Sequence, residues 1–400
     1  MSEEKLLAAR AEFPSLEACT HLISHSLGAM PKAARTFATQ FLDEWENDSI
    51  TAWGKWLPAV RSLADVISGV LGVESGSTLI LPNVSIIQST VASCFTFDGS
   101  QKGRFAGRNK IVYDELNFST VHYVWREQER RGAKVVVVPS KDGIHAPIDA
   151  LIDAIDEKTL LVPISHVLFR SSGVYDVARV VEKAKKVGAL VLLDCYQSAG
   201  TLPLDLGALG VDMACGGSVK WVCGGPGAAY LYVKKDLLPE LAPMSAGWFA
   251  HAEPFAFDMG PMRWAADAWR LIGGTMAVPA IYTARAGWDI VARLGVDNIR
   301  KKSLRQTRML REELLRRDFR VNTPDADAQR GGTICFDFDG ADAVSRELNT
   351  RRFFHDFRPR AGIRVSPHFY TTDDELHAFL AALDEVRKTG PKPATTGRSY

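Results

Sequence analysis

Residues 189–227 read ALVLLDCYQSAGTLPLDLGALGVDMACGGSVKWVCGGPG, and two features of this stretch decide the fold. The apolar run Ala189–Leu193 is typical of a buried strand, and it ends in Asp194. Twenty-six residues later comes Lys220, between a second short strand and the glycine-rich turn Gly224–Gly227. Ligands bind beyond the carboxyl ends of strands in an open α/β sheet, so we expect Asp194 and Lys220 to face a ligand. The alternative for Asp194 alone is a helix cap.

The combination of a lysine and a carboxylate at such a site indicates a particular cofactor chemistry. Val219 and Trp221 indicate partial burial of Lys220, and burial lowers the pKa of a lysine amine, which makes it nucleophilic enough for a Schiff base. Pyridoxal 5'-phosphate (PLP) needs an amine to hold its aldehyde and a carboxylate at its pyridine nitrogen. It also needs groups that bind its phosphate and an aromatic side chain that stacks on its ring. The stretch therefore predicts a PLP site.

Around this stretch, short β-rich runs alternate with helical segments from about residue 76 to residue 233. Several runs are apolar on both faces, which is typical of a mainly parallel sheet covered by helices on both sides. Asp176–Lys186 is amphipathic and is followed by Gly188, which predicts a helix and its end. The predicted strands are Ser77–Leu81, Lys110–Tyr113, Lys134–Pro139, Leu160–Ile164, Leu190–Leu193, Asp212–Cys215 and Ala228–Val233.

The chain is too long for one core, and the alternation of predicted strands and helices ends after Ala280. Residues 281–318 read as one or two long charged helices. The following elements are a strand (Gly332–Phe338), a helix (Ala341–Thr350), a strand (Gly362–Val365) and a helix (Asp373–Lys388). We therefore predict an N-terminal segment (1–60) that packs with the small domain, a large ligand-binding domain (61–280), a smaller α+β C-terminal domain (281–388) and a disordered tail (389–400).

Composition excludes several classes of protein. The 400 residues carry 48 basic and 47 acidic side chains, a net charge of +1, which attracts neither nucleic acid nor an anionic membrane. No apolar run approaches the roughly 20 residues that a membrane span needs. The six cysteines have no CxxC spacing and no accompanying histidine cluster, so we expect no metal site. Few cysteines and no signal peptide predict a cytoplasmic protein with free thiols.

The chain resembles the class V aminotransferase superfamily, and within it the kynureninase-like branch. The similarity extends from Ser24-His25-Ser26-Leu27-Gly28 to Gly362-Ile363-Arg364-Val365-Ser366-Pro367. This resemblance implies PLP-dependent transferase fold type I, an α/β fold with a mixed, mostly parallel seven-stranded sheet. It also implies a homodimer with shared active sites and a free α-amino acid as substrate.

The resemblance assigns roles to residues near the cofactor ring and the substrate. Lys220 forms the Schiff base, Asp194 contacts the pyridine nitrogen, and Phe118 stacks on the ring. Gln197 donates to the ring oxygen, and Arg364 binds the substrate α-carboxylate, a bidentate contact that suits a guanidinium group. Taken singly, Phe118 is more typical of a core aromatic, and Arg364 could equally form an ordinary surface ion pair.

Further residues match the phosphate site of the resembled family. Val84 and Ser85 open a helix after the strand at Leu79, where anions bind. Ser218 is a further phosphate ligand, Trp248 lies near the phosphate, and Thr275 reaches it from the other subunit. The alternatives are an N-cap role for Ser85, a core position for Trp248 and a simple loop hydroxyl at Thr275.

Two positions depart from the kynureninase pattern. Val219 stands where kynureninases carry a tyrosine that contacts phosphate and transfers a proton, and Gln197 replaces a histidine. A cysteine desulfurase needs a persulfide cysteine shortly before the carboxylate arginine, but residues 336–364 contain no cysteine. From the resemblance we expect Schiff-base exchange at Lys220, α-carbanion chemistry and kynureninase-like cleavage of the substrate side chain. The alternatives are a class V aminotransferase, or a decarboxylase, epimerase or C–S lyase on the same scaffold.

Two readings outside PLP catalysis are disfavoured. A nucleotide-binding α/β protein would carry G-x-G-x-x-G after its first strand or a G-x-x-x-x-G-K-[ST] motif, and neither is present. A non-catalytic regulator on a PLP fold has no need to keep Lys220, Asp194 and Arg364 together.

Overall fold

The computed structural model describes residues 1–391. Its α-helices are α1 (Glu3–Ala8), α2 (Lys32–Asp48), α3 (Trp53–Leu71), α4 (Val84–Ser93), α5 (Ser119–Arg126), α6 (Ile148–Ala154), α7 (Val177–Val187), α8 (Leu206–Leu209), α9 (Val278–Leu294), α10 (Val296–Arg316), α11 (Ala341–Thr350) and α12 (Asp373–Thr389). Its strands are β1 (Thr20–His21), β2 (Thr78–Leu81), β3 (Lys110–Asp114), β4 (Lys134–Val138), β5 (Thr159–Ser165), β6 (Leu190–Asp194), β7 (Met213–Gly217), β8 (Ala229–Val233), β9 (Arg320–Val321), β10 (Ile334–Asp337), β11 (Phe353–Phe354), β12 (Asp356–Arg358) and β13 (Gly362–Val365).

The main sheet has seven strands in the order β2-β8-β7-β6-β5-β3-β4. Strand β8 is antiparallel to both of its neighbours, and the other six strands are parallel to one another. The predicted mixed, mostly parallel seven-stranded sheet is therefore confirmed, and its strands are the seven predicted ones with ends shifted by one or two residues. Strand β6 is buried throughout, because helices cover both faces of a parallel sheet.

Helix α7 shows how local sequence sets an element. The Asp176 side chain accepts a hydrogen bond from the backbone N–H of Arg179 at the first turn, and Gly188 ends the helix in the left-handed conformation. Both ends agree with the capping preferences of aspartate and glycine. The buried face carries Val177, Val180, Val181 and Ala184, which pack against the core of the main sheet.

The C-terminal part contains a second sheet of four strands, in the antiparallel order β12-β13-β10-β9. Its core is shared with α10, α11 and α12 through residues such as Leu314, Leu348 and Phe379. The predicted strands and helices of this part are present, but β9 and β12 were not predicted. These strands have two or three residues each and include charged side chains, so they carry no alternating apolar pattern.

Contacts of the first 60 residues divide between the two parts of the molecule. Strand β1 pairs with β11, and Leu22 joins the core of the small sheet. By contrast, α2 packs on α9, and Phe41 joins the core of the main sheet. The division of the chain into domains remains a prediction. Of the predicted tail, Thr389 ends α12, and residues 392–400 lie outside the described residues.

The fold places several polar side chains along one edge of the main sheet. Because β3, β5 and β6 are parallel, their last residues, Asp114, Ser165 and Asp194, lie at the same carboxyl edge. Within residues 1–391, no helix is long and apolar enough to cross a membrane.

Candidate active site

Lys220 and Asp194 line the same cavity at the carboxyl edge of the main sheet. Asp194 ends β6, and its neighbour in β7 is Cys215. Lys220 follows β7 by a short turn. The cavity has a volume of about 220 Å³. Its lining residues are Asn83, Val84, Ser85, Phe118, Thr120, Ser165, Val167, Phe169, Asp194, Tyr196, Gln197 and Lys220.

Burial perturbs both charged groups of this cavity. It raises the pKa of Asp194 to about 6, against the opposing effects of the Tyr196 backbone N–H and the charge of Lys220. That N–H donates to Asp194 Oδ1 at 2.8 Å. Burial also lowers the pKa of Lys220 to about 8, and the Asp194 charge partly offsets this shift. Near neutral pH the lysine therefore has an appreciable neutral fraction, which is the nucleophilic form.

The Lys220 amine lies near two aromatic rings. Its Nζ is 5.6 Å from the centroid of Phe118 and 4.5 Å from that of Tyr196. Phe118 is 44% exposed, so it is not the core aromatic of the alternative reading. Its edge contacts the ring of Phe169 at a centroid distance of 5.2 Å. These rings form an apolar wall that a planar ligand can contact.

The amino-terminal end of helix α4 forms another part of the wall. The side chain of Asn83 caps the helix by accepting from the Ile86 N–H at 2.9 Å. Val84 and Ser85 occupy the first turn, where backbone N–H groups have no intrahelical acceptor. The Ser85 hydroxyl lies 3.2 Å from the hydroxyl of Thr120. Two hydroxyls and a helix terminus together are suited to bind a phosphate.

Gln197 is held by two contacts beside the cavity. Its Nε2 donates to the backbone oxygen of His25 at 2.9 Å, and its Oε1 accepts from Trp221 Nε1 at 3.1 Å. The side-chain amide has a second N–H, which forms no hydrogen bond with another described residue. Because Trp221 follows Lys220 directly, this bond also fixes the turn that carries the lysine.

Arg364 lies behind the cavity wall in strand β13 and is 4% exposed. Its Nε and Nη2 donate to the two carboxylate oxygens of Asp356 at 2.8 and 2.5 Å. Its Nη1 donates to the backbone oxygen of Phe169 at 2.7 Å. Asp356 also faces His25, whose Nε2 lies 3.0 Å from Oδ1. The arginine is thus a buried group paired with a carboxylate, not a surface ion pair. Its role toward a substrate remains a prediction.

Besides Arg364, three predicted residues do not line this cavity. The Ser218 hydroxyl donates to the Ala228 oxygen at 2.7 Å and accepts from Trp288 Nε1 at 2.9 Å. Trp248 and the exposed Thr275 lie on another surface, where the Phe249 N–H donates to the Gly273 oxygen at 3.2 Å. Trp248 is 38% exposed, so it is not a core residue. The phosphate roles of these three residues remain predictions.

Sequence reasoning missed other residues of the site. Tyr196 is close to Lys220, and its position between Asp194 and Gln197 could have signalled this. Thr120 follows Phe118 at the start of α5, where its hydroxyl reaches Ser85. Asp356 could have been found only with its strand, because the antiparallel register places it opposite Arg364.

The chemistry of these groups fits PLP. One cavity brings together an amine, a carboxylate, an exposed aromatic ring and a helix terminus with two hydroxyls. Those are the groups that the aldehyde, pyridine nitrogen, ring face and phosphate of PLP require.

Comparison with known proteins agrees with this chemistry. The family model described as aminotransferase class-V matches residues 82–352. An uncharacterized aminotransferase of Bacillus subtilis, YcbU, is 29% identical over 94% of this chain and 96% of its own length. The kynureninase of Pseudomonas fluorescens is 28% identical over 97% of this chain and 94% of its own length.

Two solved structures show the same fold. The Escherichia coli cysteine desulfurase CsdA has a TM-score of 0.83 at 19% identity and covers 97% of this chain and 99% of its own. A C-DES mutant with glycine covalently linked to the PLP cofactor has a TM-score of 0.84 at 22% identity, with 94% and 98% covered. They confirm the predicted fold type I. Since the family model spans more than half of the chain, this protein belongs to the class V aminotransferase family of PLP-dependent enzymes.

Proposed function

We propose that this enzyme cleaves the side chain of a free α-amino acid at Cβ, in a kynureninase-like reaction. The observation that carries the proposal is the Lys220 amine between Phe118 and Tyr196, in the same cavity as Asp194. The near-full-length similarity to kynureninases supports the reaction class.

The roles of the residues follow from their chemistry. Bound PLP supplies a carbonyl for amines and a ring that withdraws electrons from the substrate α-carbon. Lys220 and Asp194 would hold it at the aldehyde and the pyridine nitrogen, and Phe118 would contact the ring while Val84 and Ser85 would bind the phosphate. Asp194 remains ionised near neutral pH, since burial raises its pKa only to about 6.

Lys220 is also the proposed base. Its pKa of about 8 lies close to neutral pH, which suits an amine that removes and returns a proton at the substrate α-carbon. Arg364 would orient the substrate through its α-carboxylate. Of five guanidinium N–H bonds, three serve Asp356 and Phe169, so two are left for this contact.

Residue 219 limits the choice of substrate. Valine has no proton to transfer, so a kynureninase-like cleavage needs another relay to the leaving carbon. We therefore expect kynurenine to react slowly or not at all, and an amino acid with another γ-carbonyl or β-leaving group to react faster. Transamination is the second candidate, favoured by the similarity to an uncharacterized aminotransferase.

The experiment separates these reactions. Purified holoenzyme is mixed with a panel of amino acids and kynurenine in heavy water, and products are identified by mass spectrometry. Side-chain cleavage with deuterium at the α-carbon supports the proposal, whereas an oxo acid without cleavage supports transamination. Release of carbon dioxide, together with an amine that carries deuterium where the carboxylate was attached, would overturn both. Lys220→Ala should abolish the visible absorbance of the bound cofactor, and a wild-type protein that stays colourless after addition of PLP would refute the lysine assignment.

We further propose a homodimer in the cytoplasm, in which Thr275 of each subunit reaches the phosphate site of the other and Trp248 lies near a phosphate. Exposed aromatic side chains around Trp248 support a covered surface, since Phe255 and Phe257 are 55% and 69% exposed. Mixing inactive Lys220→Ala and Thr275→Ala chains tests this arrangement. Recovery of activity supports shared sites, because one site of the hybrid is then intact. No recovery, from a Thr275→Ala chain that is inactive alone, contradicts them.

A further inference from the structure

A second cavity, of about 520 Å³, lies where the loops of the main sheet meet the small sheet. We call it the arginine pocket, because Arg170, Arg320 and Arg360 line it, together with the carboxylates of Glu115 and Asp142. Arg170 comes from the main-sheet part of the chain. Arg320 belongs to β9, and Arg360 lies in the turn between β12 and β13. The pocket is therefore built by both parts of the molecule.

The arginine pocket and the Lys220 cavity are linked by consecutive residues, because Phe169 lines the cavity, Arg170 lines the pocket and their side chains are in contact. Phe169 lines the Lys220 cavity and contacts Phe118. The guanidinium carbon of Arg170 lies 5.1 Å from the centroid of the Phe169 ring. The backbone of Phe169 also accepts the bond from Arg364. For a substrate bound at Lys220 and Arg364, Arg170 therefore lies on the other side of the Phe169 ring.

Among residues 1–391, two of the three arginines have no anionic partner. Arg320 pairs with Asp337 at 2.7 Å. Within the part of the chain that the structure describes, neither Arg170 nor Arg360 forms an ion pair or a hydrogen bond, apart from the contact of Arg170 with the Phe169 ring. Burial, and next the charge of Arg360, lower the pKa of Arg170. The positive charges of Arg170 and Arg360 repel each other, and an anion bound between the two guanidinium groups would stabilise both.

The carboxylates of the pocket are engaged elsewhere. Asp142 accepts from the backbone N–H groups of Ile144 and His145 at 2.8 and 2.9 Å, and from the His145 ring at 2.8 Å. Glu115 accepts from the Ser140 N–H at 2.7 Å. Its charge acts on Arg170, but it lies beyond ion-pair distance. Neither carboxylate therefore neutralises the two free guanidinium groups.

The backbone at Arg360 does not explain an arginine there. Its φ angle is 68°, in the left-handed region that glycine and asparagine adopt more readily. The side chain is exposed, so packing does not require it either.

We propose that Arg170 and Arg360 form a subsite for a carboxylate at the far end of the substrate side chain. The inference rests on the proposed function and deepens it, since it makes the substrate an α-amino acid with an acidic side chain. Each guanidinium offers the planar pair of donors that a carboxylate accepts. The substrate would then be held at both ends, by Arg364 at the α-carboxylate and by the subsite at the side chain.

The test compares acidic ligands with uncharged ones on the holoenzyme. L-2-aminoadipate and L-norleucine are titrated while the visible absorbance of the cofactor is followed. Glutarate, which has no amine, is titrated by calorimetry. We expect aminoadipate to bind about tenfold more tightly than norleucine, as for a partly exposed charge-assisted contact. Arg170→Ala and Arg360→Ala should each abolish this preference and weaken glutarate binding. Arg170→Lys should retain part of both.

Arg316→Ala is the matched control, because it removes one exposed arginine, paired with Glu313 on α10. It should leave every ligand unchanged. Equal binding of aminoadipate and norleucine, or glutarate binding that is absent or insensitive to Arg170→Ala and Arg360→Ala, would overturn the subsite. If no amino acid changes the absorbance but glutarate binding depends on both arginines, the proposed function fails and the subsite stands.

Discussion

Asp356 is the residue whose replacement tests the architecture of the site most directly. Its carboxylate is 6% exposed and accepts two bonds from Arg364, while His25 and Arg358 approach at 3.0 and 3.2 Å. Removing one partner of a buried ion pair costs about 3–5 kcal/mol, because the other charge remains buried without compensation. Asp356→Asn keeps one acceptor oxygen and nearly the same volume. We therefore expect a loss of about 2–3 kcal/mol in the free energy of unfolding.

The measurement is urea unfolding of the holoenzyme, followed by tryptophan fluorescence. Asp384→Asn is the control, because Asp384 pairs with Arg317 at a similar distance but is 44% exposed. Exposed pairs contribute about 0–1 kcal/mol. Asp356→Asn combined with Arg364→Met should recover part of the loss, since the double variant leaves no unpaired buried charge. The reasoning fails if Asp356→Asn costs no more than Asp384→Asn, or if the double variant loses the sum of both single losses.

Three further predictions concern ligand binding and pH. Arg364→Ala should raise the KM for amino acids about 100-fold with little change in the cofactor absorbance, since a buried charge-assisted contact contributes about 2–4 kcal/mol; an unchanged KM would contradict its role at the α-carboxylate. Tyr196→Leu should weaken PLP binding about tenfold and Tyr196→Phe should not, if the ring is what matters; equilibrium dialysis decides, and equal losses would assign the effect to the hydroxyl. Stability should fall as pH drops from about 6.5 towards 4, by up to about 1.4 kcal/mol per pH unit for each buried histidine, because the unfolded chain binds protons that the folded one does not. The histidines concerned are His25, His166 and His355, in which burial lowers the pKa to about 4. Thermal unfolding across this pH range measures the slope, and a stability that does not change with pH would contradict the prediction.

Much of the fold could be predicted from the sequence, because strands and helix ends follow from local and periodic residue patterns. Several strands of the main sheet, such as β6, are apolar on both faces, and Asp176 and Gly188 mark the ends of α7. The short strand β12 was missed, since Asp356–Arg358 is charged and three residues long. Without β12, the partner of Arg364 stayed hidden although it lies only eight residues away.

The residues of the candidate site also fall into two groups, those predicted from the sequence and those found only in the structure. Lys220, Asp194 and Phe118 were predicted from their chemistry and their resemblance to a known family, and the fold brings them into one cavity. Thr120 carried no sequence signal, because its hydroxyl matters only through its position next to Ser85 in space.

The sequence by itself determined the class of sheet, the cofactor chemistry and the family, because strand burial and reactive groups are properties of short stretches. Only the tertiary structure decided which charges are paired. Arg364 shares its donors between Asp356 and Phe169, although Phe169 is 195 positions distant in sequence. Arg170 and Arg360, by contrast, form no ion pair with a carboxylate of the described residues. The physical reason is that an ion pair depends on distances of a few ångströms between side chains, and packing sets those distances between segments that the sequence does not connect.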